Sequence, residues 1–133
     1  MKVTALDHYN VITDRMDDTA QFYAAVLGLE RRDGPPPIPP EQIQWMHDDQ
    51  GRALIHINSL DCPRFFDRSV TPGAETGAIH HIAFTCTGYD GLIERLETMG
   101  IAFETNLIAA IGLRQVFIVD PNNIVLELNF FGD

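Results

Sequence analysis

The chain opens with a pattern that predicts a strand, a helix and a second strand. Polar and apolar residues roughly alternate from Thr4 to Ile12, and the run ends in β-branched residues, which favours a half-buried strand. Thr13–Asp18 offers several helix-capping residues, and apolar residues then recur at helical spacing until Gly28, a typical helix end. This indicates an amphipathic helix of about three turns, with a short strand after it at Leu29–Arg32.

A stiff loop and a hairpin complete the first half of the chain. Asp33–Pro40 is rich in proline, which cannot donate to a sheet and favours an extended loop. Gln42–Met46 and Ala53–Asn58 flank the turn-forming run Asp48–Gly51, which predicts a hairpin. The order of elements in this half is therefore β-α-β-β-β.

The second half repeats this order. Leu60–Gly77 has proline, glycine and charge but no sustained period, so we interpret it as a crossover with one short helical turn near Phe65. A strand at Ala78–Thr87 and a helix at Tyr89–Met99, ended by Gly100, come next. Three strands follow, with the Asp120–Asn123 turn before the last: Ile101–Thr105, Leu113–Val119 and Ile124–Phe130. The pattern predicts an α+β fold, one domain over residues 1–133 built from two modules, about 4–59 and 78–131, with 60–77 between them.

Composition narrows the class of protein. The 133 residues are 45% hydrophobic, which is enough to form one core without stabilising cross-links. The net charge of −10 argues against nucleic-acid or anionic-membrane partners. Cys62 and Cys86 are far apart and form no Cys-x-x-Cys motif, so we expect reduced thiols in a cytoplasmic protein. We see neither an apolar run of about 18 residues nor a charged-then-apolar leader, and expect no membrane span or secretion signal.

The repeat carries chemistry as well as architecture. His8 and His81 lie at the same place in the first strands of the two modules, and His56 and Glu127 lie at the same place in the last strands. If both sheets curl around one shared concavity, these four side chains converge there. Three imidazoles and one carboxylate suit zinc, nickel, cobalt, manganese or ferrous iron, and the lack of a thiolate argues against a closed structural zinc site.

Simpler interpretations compete with a metal site. A single histidine in a strand is more often packed or hydrogen-bonded than bound to metal. A glutamate within the apolar run Ile124–Leu128 needs a positively charged partner if it is buried, but Arg52 or Arg114 could supply that charge in place of a metal.

Four segments in this order resemble the vicinal oxygen chelate superfamily: Leu6–His8, Phe22–Leu29, His81–Phe84 and Asp120–Leu128. That superfamily includes glyoxalase I, methylmalonyl-CoA epimerase, extradiol dioxygenases, fosfomycin-resistance thiol transferases and bleomycin-resistance proteins. The resemblance spans nearly the whole chain. The resemblance implies curved mixed sheets that form a metal-binding cup. It also implies a homodimer whose sites draw on both chains. The metal ligands would be His8, His56, His81 and Glu127.

The resemblance also implies an activity. We expect a glyoxalase-like lyase or isomerase in which a divalent metal chelates two oxygens of a small substrate while a nearby base moves a proton. The alternatives are an extradiol-type dioxygenase that uses ferrous iron and a non-catalytic drug-binding protein of the bleomycin-resistance type. Glyoxalase I typically has a carboxylate at the place of His56, so this chain departs from it there.

Further roles follow from the same resemblance. Glu127 could be ligand and base in turn, and His56 could be the base if it does not bind metal. Asn10 and Gln115 are candidate hydrogen-bonding partners for the substrate, and Arg32, or its neighbour Arg31, could hold a carboxylate at the rim of the cup.

Overall fold

The computed structural model describes residues 1–69 and 73–133 and contains two helices and eight strands there. In chain order the elements are β1 (Tyr9–Ile12), α1 (Met16–Leu27), β2 (Glu30–Asp33), β3 (Ile43–His47), β4 (Ala53–Asn58), β5 (Ile82–Thr85), α2 (Tyr89–Met99), β6 (Glu104–Ile108), β7 (Leu113–Val119) and β8 (Val125–Phe131). A short 3₁₀ helix at Ala109–Ile111 precedes β7. The predicted α+β order, β-α-β-β-β twice, is confirmed.

The chain divides into two units, Met1–Gly73 (unit 1) and Ala74–Asp133 (unit 2), with the same topology. The strand order is β1-β4-β3-β2 in unit 1 and β5-β8-β7-β6 in unit 2. In each unit the first and last strands are parallel and the other pairs are antiparallel. The first strand of each unit therefore lies beside its last strand.

The core of unit 1 lies between α1 and one face of its sheet. Tyr23 and Val26 of α1 are fully buried, as are Met46 of β3 and Ile55 and Ile57 of β4. Successive strand side chains point to opposite faces, so the residues between them on β4, including His56, point away from the helix.

The core of unit 2 follows the same rule. Leu92 and Leu96 are the buried residues of α2, and Leu126, Leu128 and Phe130 are buried at alternate positions of β8. Glu127 and Asn129 alternate with these residues and so occupy the opposite face. Each unit therefore keeps one sheet face for its core and leaves the other for polar side chains.

Several predicted boundaries are wrong, and the pairing explains them. The first strands begin only at Tyr9 and Ile82, so His8 and His81 lie just outside the sheets. The strand predicted at Ile101–Thr105 starts instead at Glu104, because the Gly100 and Ile101 amides still bond to carbonyls of α2, at 3.1 and 2.9 Å. No helical turn forms near Phe65 among residues 60–69; the rest of the predicted crossover includes residues outside the described part.

The turn before β8 is as predicted. Asn123 adopts the left-handed conformation, with φ 64°, that asparagine tolerates. Asp120 Oδ1 accepts hydrogen bonds from the amides of Asn122 at 2.7 Å and Ile124 at 2.9 Å. This turn positions the strand that carries Glu127.

Both cysteines are free thiols. Burial raises the pKa of the Cys86 thiol to about 11, so this residue stays protonated at neutral pH. No helix in the described part of the chain combines the length and apolar character that a membrane span requires.

One glycine within α2 and the glycine that follows it should respond to alanine with stability changes of opposite sign. No atom comes within 4 Å of a Cβ added at Gly91 or Gly100, but Gly100 has φ +66°. We expect Gly91→Ala, inside the helix, to raise the free energy of unfolding by about 0.5–1 kcal/mol. Gly100→Ala should lower it by about 1–2 kcal/mol, because an L-residue is strained in the left-handed region. Urea unfolding of both variants checks this, and shifts of the same sign would contradict it.

Candidate metal centre

His8 and His56 form one pair in unit 1. The ring centroids of His8 and His56 lie 3.7 Å apart in a stacked arrangement, and the Trp45 ring stacks on the other face of His56 at 4.1 Å. Trp45 is the partner of His56 across β3 and β4. The His56 imidazole is therefore held between two rings.

The two histidines differ in their surroundings. Burial, then the neighbouring His8, lowers the pKa of His56 to about 4, so its imidazole is neutral at physiological pH. Asp7 Oδ2 lies 2.5 Å from His8 Nδ1. If Nδ1 of a neutral His8 donates to this carboxylate, Nε2 is the ring nitrogen left to bind a metal.

His81 and Glu127 form the pair in unit 2. His81 Nε2 lies 3.0 Å from Glu127 Oε2, and Gln115 Nε2 donates to Glu127 Oε1 at 2.7 Å. The Glu127 side chain is only 14% exposed. His80 Nδ1 lies 2.9 Å from His81 Nδ1. Both oxygens of Glu127 thus have a nitrogen partner.

The register places the two pairs at equivalent positions. In unit 1 Asn10 of β1 pairs with His56 of β4, and His8 lies two residues before Asn10. In unit 2 Ala83 of β5 pairs with Glu127 of β8, and His81 lies two residues before Ala83. The strand pairing therefore matches the repeat seen in the sequence.

The two arginines that could have replaced a metal bind elsewhere. Arg52 pairs with Asp48 in the hairpin of unit 1 at 2.7 Å. Arg114 lies over the Tyr89 ring, 3.8 Å from its centroid, and its guanidinium is 3.5 Å from Asp90 of α2. Neither arginine neutralises Glu127.

The predicted substrate-binding residues are engaged within the protein. Asn10 donates to Asn58, and Arg32 binds both oxygens of Glu30 at 3.0 and 2.8 Å. Gln115 is buried and, besides Glu127, donates to Asn129 Oδ1 at 3.0 Å. The contacts of Gln115 indicate that it positions Glu127, a role that the sequence did not reveal.

Two further site residues were missed. Pairing the predicted hairpin outward from its turn places Trp45 opposite Leu54, and only the register shift between Met46 and His47 in the structure brings Trp45 opposite His56. Asp7 precedes His8 in the sequence, but nothing in the pattern shows that its carboxylate reaches His8 Nδ1. A side-chain contact of this kind depends on rotamers and not on hydrophobic periodicity.

The donor groups fit a divalent metal, although they are arranged as pairs. Within residues 1–69 and 73–133, no three histidine, cysteine, aspartate or glutamate side chains gather into a group that could hold an ion. Imidazole and carboxylate atoms bind metal at about 2.0–2.2 Å, which places neighbouring ligand atoms about 3 Å apart. His81 and Glu127 have that spacing. The His8–Asp7 contact is the outer support typical of metal-binding histidines.

Comparison with known proteins identifies the family. Residues 5–128 match the family described as the Glyoxalase/Bleomycin resistance protein/Dioxygenase superfamily. The chain belongs to this superfamily. The resemblance inferred from the sequence is thereby confirmed, and members of the superfamily generally use divalent metals.

Individual relatives of the superfamily are distant. The chain is 25% identical over 138 residues to Glyoxylase I 4 of Arabidopsis thaliana, covering 96% of this chain and 71% of that protein. It is similar in structure to a virulence protein from Salmonella typhimurium (TM-score 0.74, 15% identity, 98% and 99% of the chains covered). It is also similar to lactoylglutathione lyase from Agrobacterium tumefaciens (TM-score 0.66, 22% identity, 98% and 96% covered). The two structural similarities show the superfamily fold.

The contact between Gln115 and Glu127 leads to a prediction. If Glu127 binds a divalent metal, Gln115→Leu should weaken zinc binding by about 10–100-fold, because Glu127 loses the hydrogen bond that orients it. Gln21→Leu, on an exposed position of α1, is the matched control and should leave the affinity unchanged. Competition with a chromogenic chelator measures both. Equal affinities for Gln115→Leu and the parent would show that this hydrogen bond does not orient a ligand.

Proposed function

We propose that this chain is a divalent-metal-dependent enzyme of the superfamily, a glyoxalase-like lyase or isomerase acting on a small oxygenated substrate. The ligands are His8, His56, His81 and Glu127, joined within one chain or across a homodimer. The observation that carries the proposal is the His81–Glu127 pair, with facing atoms 3.0 Å apart. The equivalent positions of unit 1 hold a second pair of donors.

The surroundings of Glu127 support a cation at this place. A carboxylate that is mostly removed from water is costly unless it is paired. Arg52 and Arg114, the cations considered as partners, lie against Asp48 and Asp90. Gln115 is neutral, and His81 neutralises the carboxylate only when protonated. A divalent ion would satisfy both Glu127 and a neutral His81.

The protein residues define the chemistry around such an ion. A bound divalent metal supplies Lewis-acid polarisation of two substrate oxygens. Glu127 is the candidate proton acceptor, since its carboxylate is fixed by Gln115 while Oε2 faces His81. His56 is the second candidate, but two stacked rings restrict its movement. We therefore assign proton transfer to Glu127 and only metal binding to His56.

Elemental analysis of untagged protein tests the metal requirement. We expect a stoichiometric divalent metal in the purified chain, or its return after chelation and dialysis against zinc, nickel, manganese, cobalt or ferrous salts. His81→Ala should lose this metal. A parent chain that neither retains nor regains a metal would contradict the proposal and favour a non-catalytic small-molecule binder.

Mixing two defective variants shows which chains build the site. His8→Ala breaks the pair of unit 1, and Glu127→Ala breaks that of unit 2. If each site draws on both chains of a homodimer, refolding an equal mixture creates mixed dimers with one intact site, and metal binding returns. If each chain builds its own site, every site in the mixture stays broken.

One observation keeps a ferrous dioxygenase as the second candidate. With His56 held between two rings, His8, His81 and Glu127 would remain as two histidines and one carboxylate, the set that binds ferrous iron in many oxygenases. Oxygen consumption by the anaerobically iron-loaded protein with catechol and substituted catechols decides between the two. Oxygen uptake would replace the lyase or isomerase proposal.

A further inference from the structure

A cavity of about 510 Å³ lies within unit 1 on the same sheet face as His56. Its floor is formed by Asn10 and Ile12 of β1, Ile43 of β3 and Asn58 of β4. Asn10 is the strand partner of His56, and Asn58 follows it two residues later on the same face. The volume lies within the range of small-molecule sites. The cavity therefore adjoins one of the candidate ligands.

The segment that covers the cavity exposes aromatic surface. Ile38 and residues 63–68 complete the lining among the described residues. Phe65 and Phe66, neighbours in this segment, are 108% and 87% exposed. Two adjacent phenylalanines exposed to water beside Ile12 and Ile43 form an apolar patch of the kind that marks a binding site. The lining thus favours a ligand with an aromatic body.

The charges at the cavity favour an anion. Arg64 pairs with Asp67 at 3.1 Å, and the Arg68 amide donates to the same carboxylate at 2.8 Å. Within the part of the chain described, the Arg68 guanidinium has neither a hydrogen bond nor an ion pair. The lining therefore carries one unpaired positive charge in a protein with a net charge of −10. An arginine fork is well suited to a carboxylate.

The floor adds a polar contact. Asn10 Nδ2 donates to Asn58 Oδ1, and Asn58 Nδ2 donates to Cys62 Sγ at 3.1 Å. These bonds fix the orientation of both amides. They leave Asn10 Oδ1 without a donor among the described residues. A hydroxyl group on the ligand could fill this position.

We propose that this cavity binds the substrate as an aromatic carboxylate, with the ring against Phe65 and Phe66 and the carboxylate on Arg68. The inference rests on the proposed function, because the cavity floor adjoins the candidate ligand His56 through its strand partner Asn10. It extends the function by specifying the chemical class of the substrate. A neutral aromatic alcohol and a short aliphatic acid each lack one of the two features that the cavity recognises.

Calorimetry with three probes tests the inference on the full chain, in parallel with EDTA and after metal reconstitution. The probes are 3-phenylpropanoate, 3-phenylpropan-1-ol and propanoate. We expect 3-phenylpropanoate to bind at least about tenfold more tightly than either other probe, since only it offers both the ring and the charge. Equal affinities for the acid and the alcohol would overturn the inference.

Arginine variants locate the charge. Arg68→Gln should weaken 3-phenylpropanoate binding about tenfold and leave the alcohol unchanged. Arg52→Gln removes an exposed arginine of the same unit that lies outside the cavity lining, and it should change neither probe. Phe66→Ala should weaken both aromatic probes. Full affinity of Arg68→Gln for the acid would also overturn the inference.

The metal content of the same samples separates this inference from the proposed function. Selective binding of the aromatic acid without any metal would support the cavity and contradict the enzyme. Stoichiometric metal without preference for the acid would support the enzyme and overturn the assignment of substrate class.

Discussion

On the proposed function, replacing Glu127 by glutamine should weaken metal binding and lower the activity. The substitution keeps size and shape but removes the negative charge that attracts a divalent ion. It also turns one of two acceptor atoms into a donor, while Gln115 Nε2 and His81 Nε2 already surround those atoms at 2.7 and 3.0 Å. Structural zinc sites gain about 10–16 kcal/mol from about four ligands, so the loss of one should cost roughly 3 kcal/mol, or about 10²-fold in affinity.

Glu104→Gln is the matched control for this change. Glu104 is exposed and lies on β6, two strands away from Glu127 in the same cross-strand row, so the same loss of charge occurs at a residue that is not a candidate ligand. Zinc competition and elemental analysis should show Glu104→Gln indistinguishable from the parent and Glu127→Gln depleted. Thermal unfolding in EDTA verifies that both variants fold. Equal metal affinity in Glu127→Gln and the parent would remove Glu127 from the ligand set.

The fold was largely predictable because the signals were local and repeated. Gly28 and Gly100 end the two helices in the left-handed conformation, as their position after an amphipathic run predicts. Strand β7 matches its predicted bounds. The start of β6 does not match its predicted position, because the Ile101 amide still donates to a carbonyl of α2. A hydrophobic pattern does not report this kind of backbone capping.

The site was predictable in position but not in detail. Repeat alignment selected His81 over His80, and His81 is the histidine whose Nε2 lies beside Glu127. The sequence suggested Gln115 as a partner for the substrate, but the structure shows that its side chain bonds to Glu127. The ring stack of His8, His56 and Trp45 could not be predicted, since His8 lies before β1 and follows no strand alternation.

Buried side chains alternate with more exposed ones along β8, and replacing one of the buried ones should have the largest effect on stability. Phe130 and Phe131 are neighbours on β8, but Phe130 is 1% exposed and Phe131 is 56% exposed. The Phe130 ring also meets the Tyr89 ring of α2 edge to face, with centroids 5.4 Å apart. We expect Phe130→Ala to lower the free energy of unfolding by about 3–5 kcal/mol, because it opens a cavity between helix and sheet.

Phe131→Ala is the control, with the same atoms removed one residue away. Its side chain already meets water, so the cost should stay below about 1 kcal/mol. Urea unfolding followed by circular dichroism measures both values, and a loss of about 4 kcal/mol is a large part of the stability of a typical domain. A similar loss in both variants would mean that Phe131 is also covered, as it would be in a homodimer. Light scattering of the parent and of Phe131→Ala would test that explanation, since a dimer held through Phe131 should dissociate in the variant.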